Sequence, residues 1–246
     1  MKRAGVVVLG CWLAAGCVTG PDLGGTASEL VARASTAKKA VKWAEAAMLY
    51  ERAWRLDPRN LAALRGLVET DHLSGRLAEL ETRFTRDVAD RPGDALAHHA
   101  LGLVFFARGG VFGERAITEL RKAAELEPTE ADFSYRFGLA LAESDRHDEA
   151  VRALASAVER APAQARYRVV YAVSLAHVGR RPEAVKQLAK VLELGAADED
   201  VALAGKVASR LLDPFQGFPQ AAREQFESAL QWLDAESTTQ AQQAFQ

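Results

Sequence analysis

Few residue types that do covalent or acid–base chemistry stand together in this chain. Its two cysteines, Cys11 and Cys17, both lie in the first 17 residues, so no disulfide or cysteine-based metal site can hold the remainder. His98 and His99 are adjacent, which on a helix turns them to different faces and argues against a shared metal ion. Glu143, Asp145, Asp148 and Glu149 cluster between two helical stretches and read as a solvated turn. The GGVFGER segment at 109–115 is glycine-rich but follows no strand, so it reads as a turn rather than a phosphate loop. HExxH, GxSxG, Walker A and GxGxxG patterns are absent. Neither an enzyme nor a cofactor protein is expected. The formal net charge of -2, with no basic block, gives nucleic-acid binding no electrostatic support.

The elements around these residues begin with an address. Lys2 and Arg3 precede an apolar, uncharged run over 4–16, too short to span a bilayer, which takes about 20 residues. A short apolar run led by positive charge has the pattern of a secretory signal. Its end, LAAGC at 13–17, resembles a bacterial lipobox, with Ala14 where leucine is usual. The resemblance implies cleavage after Gly16 and acylation of Cys17, palmitate included. Cys11 is a weaker candidate, because only seven apolar residues, 4–10, would precede it. Removing residues 1–16 takes Lys2 and Arg3 and no acid, so the mature charge is 29 − 33 = −4. Such a body would rely on lipid rather than charge for its membrane contact. Val18 in place of aspartate points to the outer membrane, and residues 17–26 read as a flexible tether.

Beyond the tether the chain repeats. Pro58, Pro92, Pro128 and Pro162 are spaced by 34, 36 and 34 residues, each just past a helical stretch. Twelve residues before them stand Ala46, Leu80, Ala116 and Ala150, and Ala184 continues the series. Four residues further on come Tyr50, Phe84, Leu120, Leu154 and Leu188, and three beyond those Ala53, Asp87, Ala123, Ala157 and Val191. Offsets of 0, 4 and 7 lie on one helix face. An earlier helix in each unit carries a large–small pair: Leu67-Val68, Leu101-Gly102, Phe137-Gly138 and Tyr171-Ala172. The small member lets two helix axes approach, and the large one fills the gap to the next hairpin. The 36-residue spacing places two extra residues in the turn around Gly109 and Gly110.

This pattern resembles the tetratricopeptide repeat (TPR), a helix–turn–helix unit of about 34 residues. The resemblance implies an all-α solenoid of stacked hairpins coiled into a right-handed superhelix. Five units fall at 27–60, 61–94, 95–130, 131–164 and 165–198, followed by a degenerate capping hairpin over 199–235 and a disordered tail over 236–246. Asp87 and Leu80 make the second unit irregular, and the first lacks a large residue beside Arg33 and Ala34. In the capping hairpin Ala222, Phe226 and Ala229 keep the 0, 4, 7 offsets, and Phe215 and Phe218 are expected to plug the end of the stack.

First helices of the family line a concave groove that binds peptides or helices. Its groove positions map onto Arg65, Glu69 and His72, then Leu96, His99, Leu103 and Phe106, then Asp132, Tyr135 and Leu139, then Arg166, Val169 and Val173. The Lys/Asn set that clamps a terminal carboxylate in some members is missing. Leu103, Phe106, Tyr135, Leu139, Val169 and Val173 are expected to form an exposed apolar strip suited to a protein client. The expected function is a lipid-anchored envelope scaffold facing the periplasm. In architecture it is similar to the pilotin lipoproteins that help a type IV pilus secretin assemble. Adaptors for cell-wall hydrolases and the TPR lipoprotein of the outer-membrane barrel assembly machine are alternatives. A small-ligand receptor or enzyme using the bowl is the alternative from another class, and a buried carboxylate–histidine pair near His72 or His99 would favour it.

Overall fold

The structure, a computed structural model, describes residues 23–194, 202–204 and 206–207. The readings made on Cys11, Cys17, the tether up to residue 22, the Phe215–Phe218 loop, most of the capping hairpin and the tail fall outside those residues. Among the described residues there is no strand, and no helix is long and apolar enough to cross a membrane. The described residues fall into two compact units, divided between Thr82 and Arg83.

In the first unit, α1 (Ala27–Lys39) and α2 (Trp43–Leu56) make a hairpin, and α3 (Leu61–Leu73) packs on both. Thr26 starts α1 with a capping box: its hydroxyl accepts from Glu29 N–H while Glu29 accepts from Thr26 N–H. Leu30, Ala34, Ala46, Leu49 and Ala53 form the buried seam of this unit. The small residue needed for close approach is Gly66, which lies directly against the Tyr50 ring; a β-carbon there would overlap it. The α1–α2 turn places Val41 at φ 61, a left-handed conformation that a β-branched side chain adopts only under strain. Other hairpin turns use Gly75 (φ 75), Gly109 (φ 62), Asp145 (φ 58) and Gly179 (φ 80). Helix α4 (Leu77–Asp90) contains the boundary between the two units.

The second unit continues with α5 (Ala95–Arg108), α6 (Gly113–Leu126), α7 (Ala131–Glu143), α8 (His147–Arg160), α9 (Ala165–His177) and α10 (Arg181–Glu193). Each helix packs on the next, and α7 also touches α5 and α9, so the first helices of successive hairpins form one layer. The register residues Ala116, Leu120, Ala123, Ala150, Leu154, Ala157, Ala184, Leu188 and Val191 are all buried. Asp87, the misfit, stays partly exposed and pairs with Arg91 at 3.7 Å. A β-carbon on Gly102 would sit 2.7 Å from Leu120 Cγ, and one on Gly138 2.6 Å from Leu154 Cγ. These glycines are what bring the two helices of a hairpin together. The additional length is taken up by a three-residue 3-10 turn over Gly110–Phe112, between α5 and α6. Ala204 joins the α9–α10 core beside Leu175 and Leu188.

The turns between hairpins repeat their own chemistry. Two residues past the proline, Asn60, Asp94 and Glu130 accept backbone N–H groups of α3, α5 and α7. The carbonyls of Pro58, Pro92 and Pro162 are also held. Trp54 Nε1 donates to Pro58 O at 3.2 Å, His98 Nε2 reaches Pro92 O at 3.0 Å, and Arg168 Nη2 donates to Pro162 O at 2.9 Å.

Candidate protein-binding face

The residues mapped to the groove fall in both units, and each unit presents its own share. In the first, Arg65 is half-buried on α3, while Glu69 and His72 are exposed. Glu69 accepts from Lys38 Nζ of α1 at 2.8 Å, an ion pair across the two first helices. Its exposure limits it to about 0–1 kcal/mol.

In the second unit the layer of α5, α7 and α9 differs from the expected exposed strip. Phe106, Leu139 and Val173 keep part of their surface, as does Leu96, and Arg166 is exposed. His99, Leu103, Tyr135 and Val169 are buried and are corrected from surface to core. Neighbouring elements cover them. The Tyr167 ring of the next hairpin stacks on Tyr135 with centroids 4.3 Å apart. His99, 0% exposed, lies against the Phe133 ring at 4.5 Å. Val169 belongs to the core between α9 and α10, with Leu175 and Leu188. Three apolar side chains therefore remain at the surface where six were expected, each seated on a packed floor.

That floor is polar at a residue the sequence placed on the groove surface. Asp132, on the first turn of α7, is buried. Its Oδ1 accepts the Tyr167 hydroxyl of α9 at 3.1 Å. Its Oδ2 lies 3.6 Å from His99 Nε2 of α5 and 3.7 Å from Arg136 Nε. The Arg136 guanidinium in turn stands 5.2 Å over the Tyr135 ring. The Tyr167 hydrogen bond joins α7 to α9, while His99 of α5 and Arg136 stand within ion-pairing range of Oδ2 but beyond hydrogen-bonding distance. Nothing in the spacing of Asp132 and Tyr167 announces this contact.

The remaining chemistry-bearing residues are dispersed. His98 points away from His99, its Nδ1 2.6 Å from Glu119 Oε2 of α6. A carbonyl only accepts, so the His98 Nε2–H donates to Pro92. Arg168 occupies the equivalent place two hairpins on, donating to Gln187 Oε1 of α10 at 2.8 Å. A basic residue six positions after a turn proline is the signal that could have found both. In the acidic turn, Glu149 takes a forked pair from Arg146 at 2.7 and 2.8 Å, while Glu143, Asp145 and Asp148 keep solvent contact. The Arg146 hydrogen bond draws the Glu149 carboxyl below the usual carboxylate range. No group of three or more metal-ligating side chains converges among the described residues.

No protein-family model and no curated protein matches this sequence. Solved structures do match. TTC0263, a thermophilic TPR protein of Thermus thermophilus, is 25% identical, with 76% of this chain and 100% of that chain covered and a TM-score of 0.56. The fold is the TPR fold. YrrB, described as a TPR protein with an unusual peptide-binding site, is 21% identical over 74% of this chain and 92% of that one, with a TM-score of 0.50. YrrB's likeness bears on the fold alone.

Proposed function

We propose that this TPR chain is a protein-interaction scaffold that binds a peptide or helical segment of a client along its first helices. The observation that carries this reading is the layer of α5, α7 and α9. Phe106, Leu139 and Val173 stand partly open on it above the closed Asp132–Tyr167–His99 floor. Half-open apolar groups on a preorganised base suit an apolar segment, because little order is lost on binding. The peptide-binding site named for YrrB agrees with this use of the fold.

The finer reading follows from the N-terminal sequence. Acylated Cys17 would hold the scaffold at a membrane of the bacterial cell envelope, probed first at the outer membrane. Assistance to a type IV pilus secretin is the role its architecture suits; a barrel-assembly subunit or a cell-wall hydrolase is the alternative client.

The test is crosslinking and capture from native membranes, comparing wild type with a Phe106→Glu/Leu139→Glu variant matched for helicity and melting. One envelope protein captured by wild type and lost in the variant supports the scaffold reading and names the client. Identical partners from both proteins overturn it. Palmitate labelling of wild type against Cys17→Ser tests the anchor separately; equal labelling sinks it.

A buried carboxylate–histidine pair, the feature that favours a receptor or enzyme, is present as Asp132 and His99. His99 exposes no surface, so no substrate reaches it in this conformation. The pair acts as part of the floor, and the proposed function includes no catalysis.

A further inference from the structure

Two histidines, neither of them a groove position, meet where the fourth and fifth hairpins join. His147 is the first residue of α8 and His177 the last of α9. Their rings stack with centroids 3.9 Å apart and planes 19° from parallel. The His147 side chain is 15% exposed, and its Nδ1 is buried with no hydrogen-bond partner. Its Nε2 lies 3.8 Å from Asp145 Oδ1, beyond hydrogen-bonding distance. His177 is exposed.

The two rings are not equivalent as proton acceptors. The positive end of the α8 dipole disfavours a charge on His147, whereas the negative end of α9 favours one on His177. Burial, and then the neighbouring His177, hold His147 below the ordinary histidine range; Asp145 and Asp148 pull the other way. Asp145 is fully exposed and weakened by solvent. Other nearby ions are engaged elsewhere: Arg146 on Glu149 and Glu114, and Arg180 on Glu183. Charge on both rings would place two cations face to face, one with a buried N–H that has no acceptor.

We propose that the His147–His177 stack is an acid-sensitive clasp on the seam between α8 and α9, closed while one ring is neutral and opened when both are protonated. The linkage has a definite sign. Unfolded His147 takes its proton near pH 6.5. The folded chain takes it only at lower pH, so the clasp is at full strength above about 6.5 and loses it as pH falls toward the folded value. Opening frees the first turn of α8 from the last turn of α9 and leaves the binding layer's own floor untouched.

The experiment is amide hydrogen exchange on the full chain at pH 7.5 and 5, corrected for intrinsic rates, in wild type, His147→Phe and His177→Phe. Phenylalanine keeps a stacked ring and removes one titrating charge. Wild type is expected to lose several-fold in protection in those two turns at pH 5, relative to α5 and α6. His147→Phe is expected to hold steady, and His177→Phe to lose less than wild type, because burial still disfavours a charge on His147. Histidine NMR gives a second reading that does not need the buried variant: His177→Phe, at an exposed position, should raise the pH at which His147 titrates. Unchanged wild-type protection, equal losses in all three proteins, or a His147 titration indifferent to His177→Phe would each overturn the clasp.

Discussion

Asp132 Oδ1 accepts the Tyr167 hydroxyl at 3.1 Å in the interior, linking the first helix of the fourth hairpin to that of the fifth. Asp132 is also the point to which His99 and Arg136 converge. Tyr167→Phe should therefore cost about 1 kcal/mol, and Asp132→Ala about 3 kcal/mol, because it leaves buried partners facing an apolar methyl. Urea unfolding of the three proteins measures both, and an Asp132→Ala loss no larger than that of Tyr167→Phe would deny the network its central role.

The close helix approach at Gly138 gives a second expectation. Alanine normally strengthens a helix by about 1 kcal/mol over glycine. Here its β-carbon would lie 2.6 Å from Leu154 Cγ and 3.2 Å from the Leu154 backbone nitrogen, which cannot rotate away. Gly138→Ala should destabilise by about 1–3 kcal/mol, the usual scale of overpacking. A thermal melt that rises on substitution would show the hairpin to be looser than its geometry.

Val41 should behave in the opposite sense. It holds φ 61 while 65% exposed, so its side chain contributes little packing to offset the strain. Val41→Gly relieves a left-handed penalty of about 1–2 kcal/mol at a chain-entropy cost of about 0.5–1 kcal/mol. A small net gain, between zero and about 1.5 kcal/mol, is expected in chemical denaturation.

Acid should weaken the fold at the turns as well as at the histidines. Glu149 and Glu183 are drawn below the usual carboxylate range, chiefly by hydrogen bonds from Arg146 and Arg180. Their folded-state affinity for protons is lower than in the unfolded chain. Their stabilisation is therefore present above about pH 4.5 and is lost as pH falls through and below that value. Melting temperature followed from pH 6 to 3 should fall less steeply in Glu149→Gln/Glu183→Gln than in wild type. Both acids are solvent-exposed, and added salt should shrink the difference.

Much of the fold was legible because repetition multiplies a weak signal. One alanine at Ala116 says little, but Ala46, Ala116, Ala150 and Ala184 in step, each followed by Tyr50, Leu120, Leu154 or Leu188, specify a helix face. The same register led to error at the binding face. Helix position alone sends His99, Leu103, Tyr135 and Val169 to the layer of first helices, whereas their exposure depends on what the next hairpin brings over them. The Tyr167 ring over Tyr135 is such a case, supplied from another helix.

By itself the sequence determined the local and periodic facts: helix pairs, their turns at Pro58, Pro92, Pro128 and Pro162, and the buried faces. These depend on contacts within one helix or between neighbours one repeat apart, so spacing reveals them. The tertiary structure alone decided the Asp132–His99–Tyr167 floor, the His147–His177 stack and which groove residues keep a surface. Those are single pairings, made once rather than repeated. Their strength comes from burial and distances of a few ångströms, which no periodicity in a linear chain encodes.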